Sequence, residues 1–418
     1  MKVTVTVESC AGGRGHGVAH AQGLTLFVPG AFPGDVVELA PVTPSGARRW
    51  VIAPALRLVS PSPDRVVPAC PHACADPARV QDACGGCPWM ALRVEVQRAQ
   101  KLAIVARAYS SARHPVKTPD RIITAGPELG YRCRLRMNAA DGRLGFFAQG
   151  SHRIVEVAAC PMVPQPAQHA RLAPFLPASG AAELRLLYDG LGRLHLTCDV
   201  PLRGTFDELA GAVPGLAGVR IAGVEEGLEG LELDTPGHGP VTVSSAGFFQ
   251  AGSHANRMIL DGLAGLLGEL GDPGPVLECH AGSGNLTRVI RRFADVLAIE
   301  SDPQSARFFD RNLGRHPGPG AARLLQMTVE EAIRARRIPP GTRTLVLDPP
   351  REGLDKNTND ALVELNPRQV ILVSCDPMNG ARDAAAWVRA GWERARMLVL
   401  DTMPGTQHFE IIQLFMKP

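Results

Sequence analysis

The sequence lacks any apolar run long enough to span a bilayer, which excludes a helical membrane span. It also lacks the apolar block of a secretory signal. The opening Met1-Lys2-Val3-Thr4-Val5-Thr6-Val7-Glu8 alternates as a strand does. A cytoplasmic protein is expected. No charge of one sign dominates, and 44 basic against 41 acidic residues leave a formal +3. That balance permits a nucleic-acid partner without arguing for one, because the informative quantity is a local patch. Glycine (44) and proline (36) are plentiful but follow no repeat, so they are read as turns and loops, not as fibre. The ten cysteines do not form the even framework of a short secreted chain, which makes disulfides the weaker reading. A chain of 418 residues exceeds one ordinary core, so two or three domains are expected.

Three segments follow from pattern. Residues 1–60 read as short strands around the turn-rich Gly12-Gly13-Arg14-Gly15-His16-Gly17, a small β-barrel closed off by Pro61-Ser62-Pro63. Residues 61–240 are mixed α+β: a cysteine cluster, a helix over 93–110, then strands. One strand, expected over 131–138, carries Arg132, Arg134 and Arg136 on one face. That face is either an ordinary solvated one or a row of phosphate-binding guanidiniums. From 241 to 418, helices alternate with short apolar strands at 276–277, 296–299, 344–347 and 370–374. This is the signature of an α/β, doubly wound (Rossmann-like) sheet.

In that last segment a glycine-rich turn, Glu278-Cys279-His280-Ala281-Gly282-Ser283-Gly284-Asn285-Leu286-Thr287, joins a strand to a helix and lets the backbone approach a nucleotide closely. The third glycine of the dinucleotide fingerprint is missing. The second strand ends in Glu300, a carboxylate placed to take both hydroxyls of a ribose. Two later strands end in Asp348-Pro349-Pro350-Arg351 and Ser374-Cys375-Asp376-Pro377. Glu410 follows Pro404-Gly405-Thr406-Gln407-His408-Phe409, just ahead of another apolar run. Ligands bind outside the carboxyl ends of strands in open sheets, and three chemically able groups are placed at that edge.

The order of Phe249-Gln250, Ala281-Gly282-Ser283-Gly284-Asn285, Asp348-Pro349-Pro350-Arg351, Ser374-Cys375-Asp376-Pro377 and His408-Phe409-Glu410 resembles the RNA uracil-5 methyltransferases, and the first 60 residues resemble the TRAM module of some of their members. The likeness covers nearly the whole chain and most resembles the 23S rRNA enzymes of the iron–sulfur type. It implies methyl transfer from S-adenosylmethionine to carbon 5 of a uridine, with Cys375 as nucleophile and Glu410 as base. It places Gln250, His280, Asn285, Glu300, Thr328 and Asp348 in the cofactor site. His280 and Thr328 depart from the usual pattern, which has an aromatic and an Asn or Asp there. The implied substrate is 23S rRNA, with transfer RNA as the alternative, and the expected state is a monomer with no protein partner.

Cys84-Gly85-Gly86-Cys87, with Cys70 upstream and Cys160 downstream, supplies four thiolates able to hold a four-iron cluster. The resemblance assigns a 4Fe-4S cluster to Cys70, Cys84, Cys87 and Cys160. The gap between Cys70 and Cys84 is longer than usual and contains Cys74, which leaves the first ligand open. A zinc knuckle of Cys70, Cys74, Cys84 and Cys87 is the rival, and it leaves Cys160 unexplained. Two other functions compete with methyl transfer. A nucleotide-dependent oxidoreductase predicts the full dinucleotide fingerprint and leaves Cys375 idle. A non-catalytic RNA-binding or ribosome-assembly factor has no need of Cys375 and Glu410 together.

Overall fold

The computed structural model describes residues 2–41, 49–114, 119, 121–165, 167–177 and 179–418. Alternation in the first segment produces two small sheets that share one core. Val3–Thr6, Val36–Leu39 and Ala55–Ser60 form one, and Ser9–Cys10, Gly17–Ala21, Leu24–Val28 and Trp50–Ile52 form the other. The inward residues Val5, Val7, Ala19, Leu26, Val28, Val37 and Leu39 fill the space between them. This is the expected barrel-like layer.

The cysteine-bearing segment leads into helix α1 (Val94–Ser111), one residue later at each end than the sequence pattern suggests. A seven-stranded sheet follows, in the order Ile154–Glu156, Arg143–Phe147, Arg134–Ala140, Ala181–Tyr188, Leu194–Cys198, Leu216–Ile221, Val224–Gly227. Here the sequence reading needs correction. The strand begins at Arg134, not Tyr131, because the chain before it bonds elsewhere: the Arg132 amide donates to Met162 O (2.7 Å) and the Cys133 amide to Ala251 O (2.8 Å). The three arginines therefore do not form a solvent-facing row. Arg136 is exposed and paired with Glu183, Arg134 is half-buried against the carbonyls of Ser245 and Phe249, and Arg132 turns into a cavity among the cysteines.

A hairpin (Leu231–Thr235, Gly239–Val243) and helix α2 (Ser253–Glu269) lead to the final sheet. Its strands are β1 (Val276–Cys279), β2 (Val296–Glu300), β3 (Ala322–Gln326), β4 (Thr344–Leu347), β5 (Gln369–Ser374), β6 (Glu393–Leu400) and β7 (Glu410–Met416). They lie in the order β3-β2-β1-β4-β5-β7-β6, with β7 antiparallel to both neighbours and the first five parallel. This is the Rossmann-like, doubly wound α/β fold. Strands β1, β4 and β5 are buried throughout, as a sheet covered by helices on both faces requires. Among the described residues no helix is long and apolar enough to cross a membrane.

Candidate active site

Order reversal in the last sheet falls between β1 and β4, and the chemistry-bearing residues collect there, at the carboxyl ends of the strands. After β1 the chain turns through His280, Gly282 and Gly284, all at positive φ (65°, 58° and 85°), a conformation that favours glycine and makes His280 unusual. Glu300 at the end of β2 ties this turn down. Its carboxylate accepts from the Gly282 amide (2.7 Å) and from the Asp302 amide (2.6 Å). His280 Nε2 is sealed from solvent without a partner, and burial lowers the ring's basicity. Glu278, wholly buried one strand position earlier, accepts from Thr287 Oγ1 at 2.5 Å through one oxygen and leaves the other unpaired. Burial above all, with Asp348 and Glu300 adding repulsion, pushes its carboxyl up to about 8. The sequence reading passed over Glu278, although its place at a strand end ahead of a glycine turn was visible.

Two expected cofactor contacts are otherwise engaged. Asn285 is held at both ends of its amide: its oxygen accepts from Asn256 and Arg288 (3.1 Å each), and its nitrogen donates to Asn256 Oδ1 (2.6 Å). Thr328 caps the helical turn Val329–Arg334, its hydroxyl accepting from the Glu331 amide while Glu331 bonds back. Gln250 is buried beside the start of α2, and its carbonyl accepts from Cys133 Sγ (3.4 Å).

Cys375 stands between the end of β5 and α3 (Pro377–Arg389), whose cap is the Asp376 carboxylate, bonded to the amides of Met378 (3.0 Å) and Asn379 (2.9 Å). The helix approaches the end of β5 closely because Gly380 lacks a side chain. A Cβ there would lie 2.8 Å from that of Ser374. Burial pushes the Cys375 thiol up to about 12, with Glu410 next in effect; Arg351 opposes this, and Asp348 and Asp376 add to it. Burial likewise raises Asp348, to about 7. Glu410 stands well above the usual carboxylate range for the same reason, with repulsion from Asp348 added and Arg351 opposing. Cys375, Asp348 and Glu410, each partly buried, thus influence one another at this edge, with the exposed Arg351 beside them. The sequence had placed the first three at one edge, and Arg351 joins them.

Phe248 was not singled out from sequence, yet it is 65% exposed beside this edge, with the Arg134 guanidinium 5.9 Å from its ring centre. An exposed ring backed by a guanidinium is a platform on which a nucleobase can stack.

The four cysteines separated by up to 90 residues in sequence come together. Cys70, Cys84, Cys87 and Cys160 line one cavity with Arg132, Phe146, Val157 and Met162. Cys74 is not among them; its thiol donates to Asp76 O (3.3 Å) and packs with Val80 and Ala83. Among the described residues no three His, Cys, Asp or Glu side chains are arranged to hold a metal ion. Cys74, which the zinc knuckle requires, lies outside the cavity that the other cysteines line.

Comparison with known proteins agrees with this geometry. The 23S rRNA (uracil(1939)-C(5))-methyltransferase RlmD of Edwardsiella ictaluri is 28% identical over 99% of this chain and 96% of its own length. The protein of the same name from Salmonella choleraesuis is 29% identical over 96% and 93%. The chain is similar to these two proteins over nearly its whole length. No family model matches. Among solved structures, the Pyrococcus abyssi tRNA (uracil-54, C5)-methyltransferase in complex with S-adenosyl-L-homocysteine superposes with a TM-score of 0.73. The match covers 98% of this chain and all of that one at 18% identity, so the two share a fold from end to end.

Proposed function

We propose that this protein transfers a methyl group from S-adenosylmethionine to carbon 5 of a uridine in RNA, with 23S rRNA as the substrate that the relatives' names point to. The observation that carries the reading is that β5 ends just before Cys375, β4 just before Asp348, and β7 begins at Glu410 with Ile411 paired to Ser374, so the three groups stand at one sheet edge. S-adenosylmethionine, when bound, supplies an electrophilic methyl group on a sulfonium. Its place is the turn 280–285, where Glu300 and the orphaned polar atoms of His280 and Glu278 offer hydrogen bonds, with Gln250 and Asp348 lining the approach. Asn285 serves by holding the turn, and Thr328 by holding the helix behind it.

Carbon 5 of uracil is a weak nucleophile. The Cys375 thiolate adds to carbon 6, and the ring electrons move onto the carbonyl oxygen as an enolate. Carbon 5 would then take the methyl group of bound S-adenosylmethionine, whose bond to the sulfonium sulfur would break to leave a neutral thioether. Glu410 removes the proton from carbon 5, the ring double bond re-forms, and the carbon 6–sulfur bond breaks to return the thiolate. Arg351, the one cation in this group, stabilises the anionic sulfur and enolate. A uridine reaches such a recess only when turned out of its stack, with Phe248 and Arg134 at the entrance to receive it.

The residues around the cysteine cavity fit a 4Fe-4S cluster held by Cys70, Cys84, Cys87 and Cys160. Arg132 faces the thiols, its Nε is sealed and without a partner, and the charges that act on it are those of Tyr131, Cys87 and Cys160. A cation so placed calls for an anion, and four thiolates on iron provide one. The division into residues 1–60 and 61–240 for RNA binding and 241–418 for methyl transfer, action as a monomer, and a cytoplasmic location complete the reading.

The test is methylation of unmodified ribosomal and transfer RNA by anaerobically purified protein, with nucleosides identified by mass spectrometry. 5-Methyluridine is expected in ribosomal RNA. Cys375→Ala should lower its formation by at least about a hundredfold, as loss of a covalent nucleophile does. No 5-methyluridine in either RNA from folded, iron-loaded protein refutes the reading.

A further inference from the structure

The loop 401–409, which delivers Glu410, is fastened from several directions. From α1, Gln97 Oε1 accepts from the Gly405 amide (2.8 Å), and the buried Lys101 ammonium binds Asp401 (2.6 Å) and Met403 O (3.2 Å). From the cysteine segment, the amide of Trp89, two residues beyond Cys87, donates to Gly405 O (3.0 Å). From the residue next to Arg132, Tyr131 Oη donates to Pro404 O (3.0 Å). The Arg132 charge also reaches His408, two residues before Glu410, where after burial and Arg351 it is among the causes that lower the imidazole's basicity. Arg132 therefore stands between the cysteine cavity, which it lines, and the catalytic loop. Among the described residues no carboxylate is paired with it.

We propose that Arg132 is a positioning residue shared by the two sites: it neutralises the anion held by Cys70, Cys84, Cys87 and Cys160 and, with Tyr131, fixes the loop that sets Glu410 against carbon 5. Loss of the anion leaves a sealed guanidinium without a counter-charge, and Arg132 swings toward solvent. Tyr131 moves with it, and the bond to Pro404 is released. Cys375, carried between β5 and α3, is fastened to the end of α1, through His114 Nε2 and Ala381 O (2.7 Å), and not through Tyr131 or Arg132. The cysteine site thus controls proton removal and expulsion of the thiolate, while addition to carbon 6 proceeds. The inference rests on reading those four cysteines as ligands of an iron–sulfur cluster and the chain as a uridine methyltransferase.

The experiment uses wild type, chelator-stripped wild type, Arg132→Met, Arg132→Lys, Tyr131→Phe and Glu410→Gln, all prepared anaerobically. Iron and sulfide are measured for each protein. Single-turnover reactions with unmodified ribosomal RNA record how fast the denaturation-stable Cys375–RNA adduct forms and how fast it resolves. Stripped protein, Arg132→Met and Tyr131→Phe should resolve the adduct at least about tenfold more slowly than wild type, as loss of outer-shell partners typically does. Adduct should accumulate in them as in Glu410→Gln, with formation nearly unchanged. Tyr131→Phe keeps full iron and isolates the loop contact, and Arg132→Lys, which retains a cation, restores most of the rate. Equal resolution rates in iron-loaded wild type, Tyr131→Phe and Arg132→Met overturn the coupling and leave the cluster standing. So does a slowing of both steps alike. Absence of iron and sulfide from wild type that still makes 5-methyluridine removes the cluster and this inference together. Absence of 5-methyluridine removes the functional reading itself.

Discussion

At the scale of single residues, the site holds its charges in the wrong state for reaction. In the proposed mechanism Cys375 acts as a thiolate and Glu410 as a carboxylate, yet burial favours the neutral form of both, and each carboxylate nearby adds to the difficulty. Arg351 pulls the other way. A sulfonium and a turned-out uracil entering this space bring positive charge and hydrogen-bond donors, so the groups are poised to ionise on binding. Removing a neighbouring negative charge should have a defined sign. In Asp348→Asn the anion of Cys375 loses one repelling neighbour, the thiol becomes more acidic, and its alkylation by iodoacetamide moves to lower pH. Peptide mass spectrometry at Cys375 across pH 7–10 measures this directly; an unmoved or upward-moving profile separates Asp348 from the thiol. Cys375, Asp348 and Glu300 drew notice in sequence because each closes a strand-like run ahead of a turn or proline, and Glu410 because it opens one. The burial of Glu278, the exposure of Phe248 and the influence of Arg351 were not legible, since these depend on what surrounds each residue.

Among elements, the helices and strands of the last sheet follow from apolar periodicity, and the antiparallel β7 inserted between β5 and β6 does not, because nothing local records where a strand inserts. The arginine strand shows the same limit from the other side. Its alternation was read correctly, but three guanidiniums in register went to three different environments once neighbouring segments took up the backbone before Arg134. Helix α1 is the element whose role was least visible. Its low amphipathicity comes from Gln97 and Lys101, polar residues on the buried face that bind the 401–405 loop. Lys101→Met leaves the Asp401 carboxylate buried with only the half-exposed Arg98 beside it. Breaking such a pair from one side costs about 3–5 kcal/mol. Denaturant unfolding of the variant should show a loss in that range, and a loss below about 1 kcal/mol would place Asp401 in contact with water after all.

For the whole molecule, the three segments are separate in sequence and come together around the glycine loop. Gln407 donates to Gly13 O (3.1 Å) across 394 residues, and Trp89 Nε1 donates to Gly15 O (2.8 Å), so the glycine loop of the first segment, the cysteine segment and the catalytic loop close on each other. Residues 241–418 produced alone should therefore fail to unfold cooperatively. Phe409 and Trp387 keep their sheet and helix partners, but Asp401 and the carbonyls of Met403, Pro404 and Gly405 lose Lys101, Tyr131 and Trp89. A calorimetric scan of that fragment tests this, a sharp endotherm being the contrary result. The same junction bears on how such enzymes can be rebuilt. A catalytic module cannot be cut at the composition boundary near residue 240 and grafted to a new RNA-reading module, because the donor's α1, with Gln97 and Lys101, is as much a part of the catalytic edge as β7 is. Recombination that respects the function has to carry that helix along, so the heritable unit of this chemistry is larger than the fold that gives it its name.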